Sequence, residues 1–304
     1  MKIGIIGGGG GVGSAIGFHL ATLGLAQEIA LVDLKQNVAM AHAMDAEQAV
    51  SALTATKLAG GDWSALSGCS IVVMAAGALQ HNALQDNLAI LTTAGKQIVS
   101  YCPQAIVIVV TNPVDILTYV LRDLTGLPAR QFLGCSLNDS ARLRTAIARL
   151  LQVPAADVRA MVIGEHGQGM VPLFSHVQVR NANVSLTTEQ QASILSYLKN
   201  WFSMYEGLKA NRTAAWTTAV SVGQLVRLIV TNSQEPTPCS AILEGQYDLA
   251  GVSIGVPVTF GASGIERIVE LPLTLQEMES LKIAAAKLAA VLKGISWEWK
   301  PAGA

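Results

Sequence analysis

The feature that most constrains the fold is a run of glycines directly after the first apolar segment. Ile3–Ile6 leads into Gly7–Gly13, in which six of the seven residues are glycine. Two dinucleotide-binding spacings fit this run, G-x-G-x-x-G and G-x-x-G-x-x-G. Glycines permit a tight turn and let a pyrophosphate approach the backbone, and the N-terminus of the following helix offers unpaired N–H groups. The residues predicted to hold the cofactor are Gly7, Gly8, Gly10, Gly11, Val12 and Gly13.

An acidic residue at the end of the next predicted strand strengthens this interpretation. Asp33 lies 20 residues after Gly13, where a carboxylate accepts hydrogen bonds from the adenosine ribose and repels a 2′-phosphate. Leu34 follows it, where an NADP site would often carry a base. The pattern favours NAD over NADP as the cofactor. The alternative interpretation is a glycine-rich turn with a surface aspartate and no ligand.

Apolar β-branched segments alternate with helical patterns through the first half of the chain. Continuous apolar strands separated by helices favour a parallel sheet covered on both faces. We therefore predict an α/β fold whose Rossmann, doubly wound NAD-binding domain spans residues 1–135. The predicted strands are Lys2–Ile6, Ile29–Val32, Ser70–Ala75, Ala105–Val110 and Phe132–Gly134, and the predicted helices are Gly13–Thr22, Asn37–Ala55, Asn87–Tyr101 and Val114–Thr125.

The second half mixes helices and strands without that alternation. A helix N-capped by Ser136 or Asn138 is expected to run to about Leu151. The mixture predicts a C-terminal α+β substrate domain over residues 136–304 that shares one cleft with the first domain. The other predicted strands are Val158–Ile163, Phe174–Val179, Ser240–Leu243, Val252–Phe260 and Ile265–Glu270, and the other predicted helices are Thr188–Ala210, Ala214–Thr231 and Gln276–Leu292.

Composition narrows the possible partners. The 20 basic and 21 acidic residues nearly cancel, so a nucleic-acid or anionic-membrane surface is not expected. No run reaches the roughly 20 apolar residues of a membrane helix, and no signal peptide precedes the first strand, which predicts a cytoplasmic location. The four cysteines lack a paired metal-type spacing, so reduced thiols and no metal site are expected. The charged fraction of only 13% indicates that a partner subunit covers some apolar surface.

Four further segments stand in a recognisable order along the chain. They are Thr111–Asp115, Asn138–Arg142, Ile163–Gly167 and Ile254–Val258, which read TNPVD, NDSAR, IGEHG and IGVPV. With the glycine turn, this combination resembles the lactate/malate dehydrogenase family over nearly the whole chain. The resemblance implies NAD-dependent interconversion of a 2-oxo acid and an (S)-2-hydroxy acid in a homodimer or homotetramer.

The residue types in these segments suit that chemistry. Hydride transfer at a hydroxyl-bearing carbon needs a partner for the hydroxyl proton, and His166 can supply it near neutral pH. The resemblance makes Asp139 the carboxylate that orients His166. Arg142 lies three residues after Asp139 on one helix, and its planar fork can grip a substrate carboxylate. Asn112, at the carboxyl end of a strand, is expected to contact the cofactor ribose or the substrate.

Simpler interpretations of these residues stay open. His166 can be an ordinary loop histidine, and Asp139 with Arg142 can be a plain surface ion pair.

The segment after the Ser70–Ala75 strand departs from the family pattern. The family usually carries there an arginine that polarises the reacting carbonyl, but no Arg or Lys occurs between Cys69 and Lys96. Gln85 falls where that arginine is expected. Gln80 aligns with the position that selects the substrate, where malate-type enzymes place an arginine. The sequence therefore predicts a lactate-like rather than a malate-like substrate.

Three explanations of the missing arginine compete. His81, Gln85 or Arg212 can replace the donor, although Arg212 can equally be a solvated charge at a helix start. The substrate can be an unusual carbonyl or an imine that is already protonated. The protein can also bind NAD without fast turnover.

Overall fold

The first half of the chain forms a parallel sheet flanked by helices. The computed structural model describes residues 1–78, 83–210 and 213–297. Six strands pair in parallel in the spatial order 3-2-1-4-5-6, which is the doubly wound dinucleotide-binding order. They are β1 (Lys2–Ile6), β2 (Glu28–Val32), β3 (Lys57–Gly61), β4 (Ile71–Met74), β5 (Ile106–Val109) and β6 (Phe132–Gly134), with helices α1 (Gly11–Leu23), α2 (Gln36–Val50), α3 (Ala83–Tyr101) and α4 (Val114–Thr125).

One predicted helix in this half is too long, and one strand was not predicted. The predicted helix Asn37–Ala55 ends at Val50, and the strand β3 that follows was not predicted. The β3 sequence, KLAGG, ends in two glycines, and only Leu58 is buried. A short edge strand of this kind lacks the continuous apolar run that marked the other strands.

The second half extends the same sheet. Its elements are α5 (Leu137–Leu151), β7 (Val158–Arg159), β8 (Val162–Gly164), β9 (Met170–Pro172), β10 (Gln178–Val179), β11 (Ala182–Asn183), α6 (Thr188–Gly207), α7 (Ala215–Val230), β12 (Thr237–Glu244), β13 (Ala250–Gly261), β14 (Gly264–Ile268) and α8 (Leu275–Gly294). Strand β6 pairs with β12, and the sheet continues through β13 and β8 to β9. The fold is therefore α/β with an α+β second half, as predicted.

The second half corrects one predicted strand and decides between the two N-cap candidates of α5. The predicted strand Phe174–Val179 is wrong, because Phe174–His176 forms a 3-10 turn before the two-residue strand β10. Ser136 occupies the N-cap position of α5 without a side-chain capping bond. Asn138 lies inside the helix instead, where it hydrogen-bonds Thr218 and Ser221 of α7.

Two apolar clusters hold the elements in place. The large one runs through both halves of the sheet and includes Ile5, Val107 and Val256. The small one joins α5 to α6, and its centre is formed by the buried side chains Leu143, Ile147, Ile194 and Leu198. Burying each such side chain contributes about 1.5–3 kcal/mol. In the described part of the chain no helix is long and apolar enough to span a membrane.

The four cysteines are free and buried, as expected. Burial raises the pKa of Cys69 to about 11 and that of Cys102 and Cys135 to about 12.

Candidate active site

Three predicted residues meet beside the carboxyl ends of β5 and β6. Asp139 and Arg142 lie in the first two turns of α5, which follows β6. His166 lies just after β8. Its Nδ1 is 2.6 Å from Asp139 Oδ2, and Arg142 Nη1 donates to Asp139 Oδ1 at 2.8 Å. One buried carboxylate therefore serves the histidine and the arginine, each through its own oxygen.

This arrangement settles the proton on His166. A carboxylate facing Nδ1 accepts a hydrogen bond from an N–H at that position, which leaves Nε2 to exchange a proton with a ligand. Burial alone would lower the pKa of His166, but the charge and hydrogen bond of Asp139, helped by the charge of Asp115, outweigh it and raise the pKa above its usual value. These contacts shift the equilibrium of His166 toward the imidazolium form.

A second buried carboxyl group supports the same histidine. Asp115, in the first turn of α4, is 2% exposed and accepts the backbone N–H of His166 at 2.7 Å. Burial raises the pKa of Asp115 to about 6. Asp115 belongs to the TNPVD motif, but no role was predicted for it. Its signal was a carboxylate within an otherwise apolar helix start, VDIL.

The glycine turn is built to approach a ligand closely. The N–H groups of Gly7 and Gly8 bind the carbonyl of Val32 at 2.8 and 3.0 Å, which ties the turn to β2. A Cβ on Gly13 would lie 2.1 Å from the carbonyl oxygen of Gly7. Helix α1 begins at Gly11 with no capping side chain and no acidic residue in its first turn. Its free N–H groups and positive end therefore suit a pyrophosphate.

Asp33, which follows β2, lies beside the glycine turn. Its two carboxylate oxygens accept the N–H groups of Gly9 at 3.0 Å and of Lys35 at 2.9 Å. Carboxylate oxygens have lone pairs left for ribose hydroxyls, because each can accept two hydrogen bonds. Leu34 is 86% exposed and supplies no positive charge for a 2′-phosphate. These residues fit NAD.

Asn112 lies after β5 and is exposed. Its carbonyl accepts a hydrogen bond from Nδ2 of the buried Asn87 at 2.7 Å, and Asn87 Oδ1 accepts the N–H of Ala78 at 2.7 Å. Asn87 thus ties the segment after β4 to the segment after β5. This role of Asn87 was not predicted, because it depends on a contact between distant segments.

The substrate-loop residues are only partly described. Gln85 is exposed in the first turn of α3. The predicted substrate residues Gln80 and His81, and the alternative donor Arg212, lie outside the described residues. Among the described residues, no cluster of three or more His, Cys, Asp or Glu side chains could hold a metal ion.

Comparisons with known proteins identify the family of this chain. The NAD-binding domain model of lactate/malate dehydrogenases matches residues 1–134, and the alpha/beta C-terminal domain model of the same family matches residues 137–297. A malate dehydrogenase from Nitratiruptor sp. is 34% identical over 292 residues, which is 92% of each chain. An L-lactate dehydrogenase from Latilactobacillus sakei is 30% identical and covers 93% of this chain and 91% of its own.

A solved structure shows the same fold. The lactate dehydrogenase of Cryptosporidium parvum, crystallised with lactic acid and NAD, superposes with a TM-score of 0.91 at 30% identity and covers 97% of this chain and 98% of its own. The chain therefore belongs to the lactate/malate dehydrogenase family and is an NAD-dependent dehydrogenase that acts on a CH–OH group.

Proposed function

We propose that the protein interconverts a 2-oxo acid and an (S)-2-hydroxy acid, with a lactate-like rather than a malate-like substrate. The observation that carries the proposal is the shared carboxylate of Asp139, which holds His166 at 2.6 Å and Arg142 at 2.8 Å. An acid/base group and a carboxylate-binding fork are thereby fixed side by side. That pairing is what a small oxo acid requires.

Each residue has one task in the proposed reaction. Arg142 binds the substrate carboxylate, and bound NADH supplies the hydride. Protonated His166 gives its Nε2 proton to the carbonyl oxygen as that oxygen becomes a hydroxyl. Asp139 keeps the ring oriented before and after the transfer. In the oxidation direction, neutral His166 takes the proton back.

Further residues complete the proposed site. Asn112, Gln80, Gln85 and His81 contact the substrate, and Asn112 also contacts the cofactor. The cofactor is held by Gly7, Gly8, Gly10, Gly11, Val12, Gly13 and Asp33. We also propose that the NAD-binding domain ends at residue 135 and that the substrate domain runs from 136, and that the protein is cytoplasmic.

The preference for a lactate-like substrate follows from the lack of positive charge in the segment after β4. No Arg or Lys occurs between Cys69 and Lys96, so the loop cannot pair with a second substrate carboxylate. The relatives do not decide this point, because some are named malate dehydrogenase and others L-lactate dehydrogenase. A neutral or apolar substituent on the oxo acid fits the loop best.

The missing arginine also favours a second candidate. Removing one charged donor to a developing oxyanion typically costs on the order of 100–1000-fold in rate. An imine that is already protonated needs no such donor, so an imine or another unusual carbonyl is the alternative substrate. A catalytically weak NAD-binding protein is the third possibility.

Steady-state assays with NADH over a panel of 2-oxo acids test the proposal. We expect turnover of monocarboxylic oxo acids above oxaloacetate, and loss of turnover in His166→Asn. Higher turnover on oxo acid plus amine than on oxo acid alone would favour the imine. Tight NADH binding in calorimetry with no turnover would favour the catalytically weak NAD-binding protein.

A further inference from the structure

An aromatic stripe on helix α6 faces the carboxylate-binding residue. Tyr197, Trp201 and Tyr205 follow one another at intervals of four residues, so they share one face of the helix. All three are half-buried. Tyr197 packs against the small apolar cluster that joins α5 to α6. This packing sets the stripe beside the helix that carries Arg142.

Arg142 lies on the middle residue of the stripe. Its guanidinium carbon Cζ is 4.0 Å from the centroid of the Trp201 ring. Trp201 in turn stacks on Tyr205, with ring centroids 5.3 Å apart and an angle of 16° between the planes. A guanidinium over an indole face is attracted by the negative face of the ring. The indole therefore packs against the Arg142 guanidinium and restricts its movement.

The N–H donors of the Arg142 guanidinium are only partly hydrogen-bonded within the protein. Nη1 donates to Asp139, whereas the buried Nε has no hydrogen-bond partner among the described residues. A guanidinium carries five N–H donors, all in its plane. Asp139 takes one of these donors and Trp201 lies against the group, so further donors of Arg142 are left for a ligand. A carboxylate binds such a fork in the plane, through two parallel hydrogen bonds.

We propose that Trp201 is a positioning residue for the substrate carboxylate. Its indole sets the plane of the Arg142 guanidinium, so that the free donors meet the carboxylate edge-on. Tyr205 backs the indole and limits its rotation. The inference rests on the proposed function, in which Arg142 binds the carboxylate.

Kinetics of four proteins test the inference, with the 2-oxo acid that the wild-type enzyme reduces best. Trp201→Leu removes the aromatic face, and we expect its KM for the oxo acid to rise about tenfold while kcat stays within about twofold. Trp201→Phe keeps an aromatic face and should hold KM within about threefold of wild type. Phe202→Leu changes the next residue, which is 56% exposed, and should change neither constant. The Kd for NADH should be the same in all four proteins.

The possible failures are distinct. An unchanged KM in Trp201→Leu, or an equal rise in KM in the Phe and Leu variants, would overturn the role of Trp201 and leave the proposed function standing. A wild-type enzyme that reduces no 2-oxo acid would overturn the proposed function, and the inference with it. If Trp201→Leu does not fold, Trp201→Met takes its place, because methionine fills a gap without an aromatic face.

Discussion

At the scale of single residues, the Asp139 carboxylate controls the proton on His166. Removing its charge in Asp139→Asn lets burial dominate, so the pKa of His166 falls from its raised position. In the proposed reaction, reduction needs protonated His166. The alkaline limb of kcat/KM for the oxo acid should therefore move toward lower pH, and kcat should fall on the order of 100-fold. A pH profile with an unmoved limb would show that Asp139 does not set this proton equilibrium.

The ionisation of Asp115 destabilises the folded protein. Burial favours its neutral form, so the folded state loses stability as pH rises from the ordinary pKa of 3.8 through about 6. Asp115→Asn keeps an acceptor for the His166 N–H and cannot ionise. Between pH 4 and pH 7, the unfolding free energy of Asp115→Asn should gain on wild type by up to roughly 3 kcal/mol. Urea unfolding at the two pH values measures the gain, and a constant difference would refute it.

At the scale of elements, different glycines of the glycine turn are expected to serve cofactor binding and folding. Gly10 has backbone angles open to alanine, φ −82° and ψ 161°, and its Cβ would lie 3.3 Å from the Gly7 carbonyl oxygen. Gly10→Ala should fold and bind NADH roughly tenfold more weakly, because crowding a close contact costs about 1–3 kcal/mol. Gly13→Ala should instead unfold more easily. Gly207→Ala is the control, because its added Cβ meets no atom within 4 Å. Calorimetry and thermal unfolding distinguish the three variants.

The start of helix α3 is the second element with a separable role. Gln85 is exposed there, so an arginine can replace it without disturbing the core. If loss of that arginine redirected the site, Gln85→Arg should raise reduction of ordinary 2-oxo acids by about 100-fold, the scale of one charged donor. Gln85→Leu serves as the uncharged control. An unchanged or lower rate in Gln85→Arg would contradict the explanation.

Sequence patterns predict helices and strands better than they predict contacts between distant residues. The continuous apolar runs of β1 and β5 mark buried parallel strands, whereas β3, with its two glycines, carries no such mark. His166, Asp139 and Arg142 were found because their motifs resemble those of a known family. Trp201 and Asn87 were missed because their partners lie far away in the chain, and only the packing of α6 and α3 brings them together.

At the scale of the whole molecule, exposed apolar residues indicate a self-association surface. Met40 and Met44 stand four residues apart on α2, and Trp216 and Val220 do so on α7; these side chains are 50–65% exposed. We expect a homodimer or homotetramer in which Met44→Glu or Val220→Glu lowers the mass measured by light scattering. Ile283→Glu, on α8 and 51% exposed, is the control. A wild-type monomer would contradict the expectation.

The continuous sheet has a consequence for how the cleft can move. Strand β6 of the first half is hydrogen-bonded to β12 of the second, with Gly134 opposite Ser240, and α7 packs on α1 across the same boundary. A hinge between the halves would have to break these backbone bonds and open the shared core. We therefore expect that any closure over a bound substrate comes from segments at the rim of the sheet, while the two halves keep their relative positions.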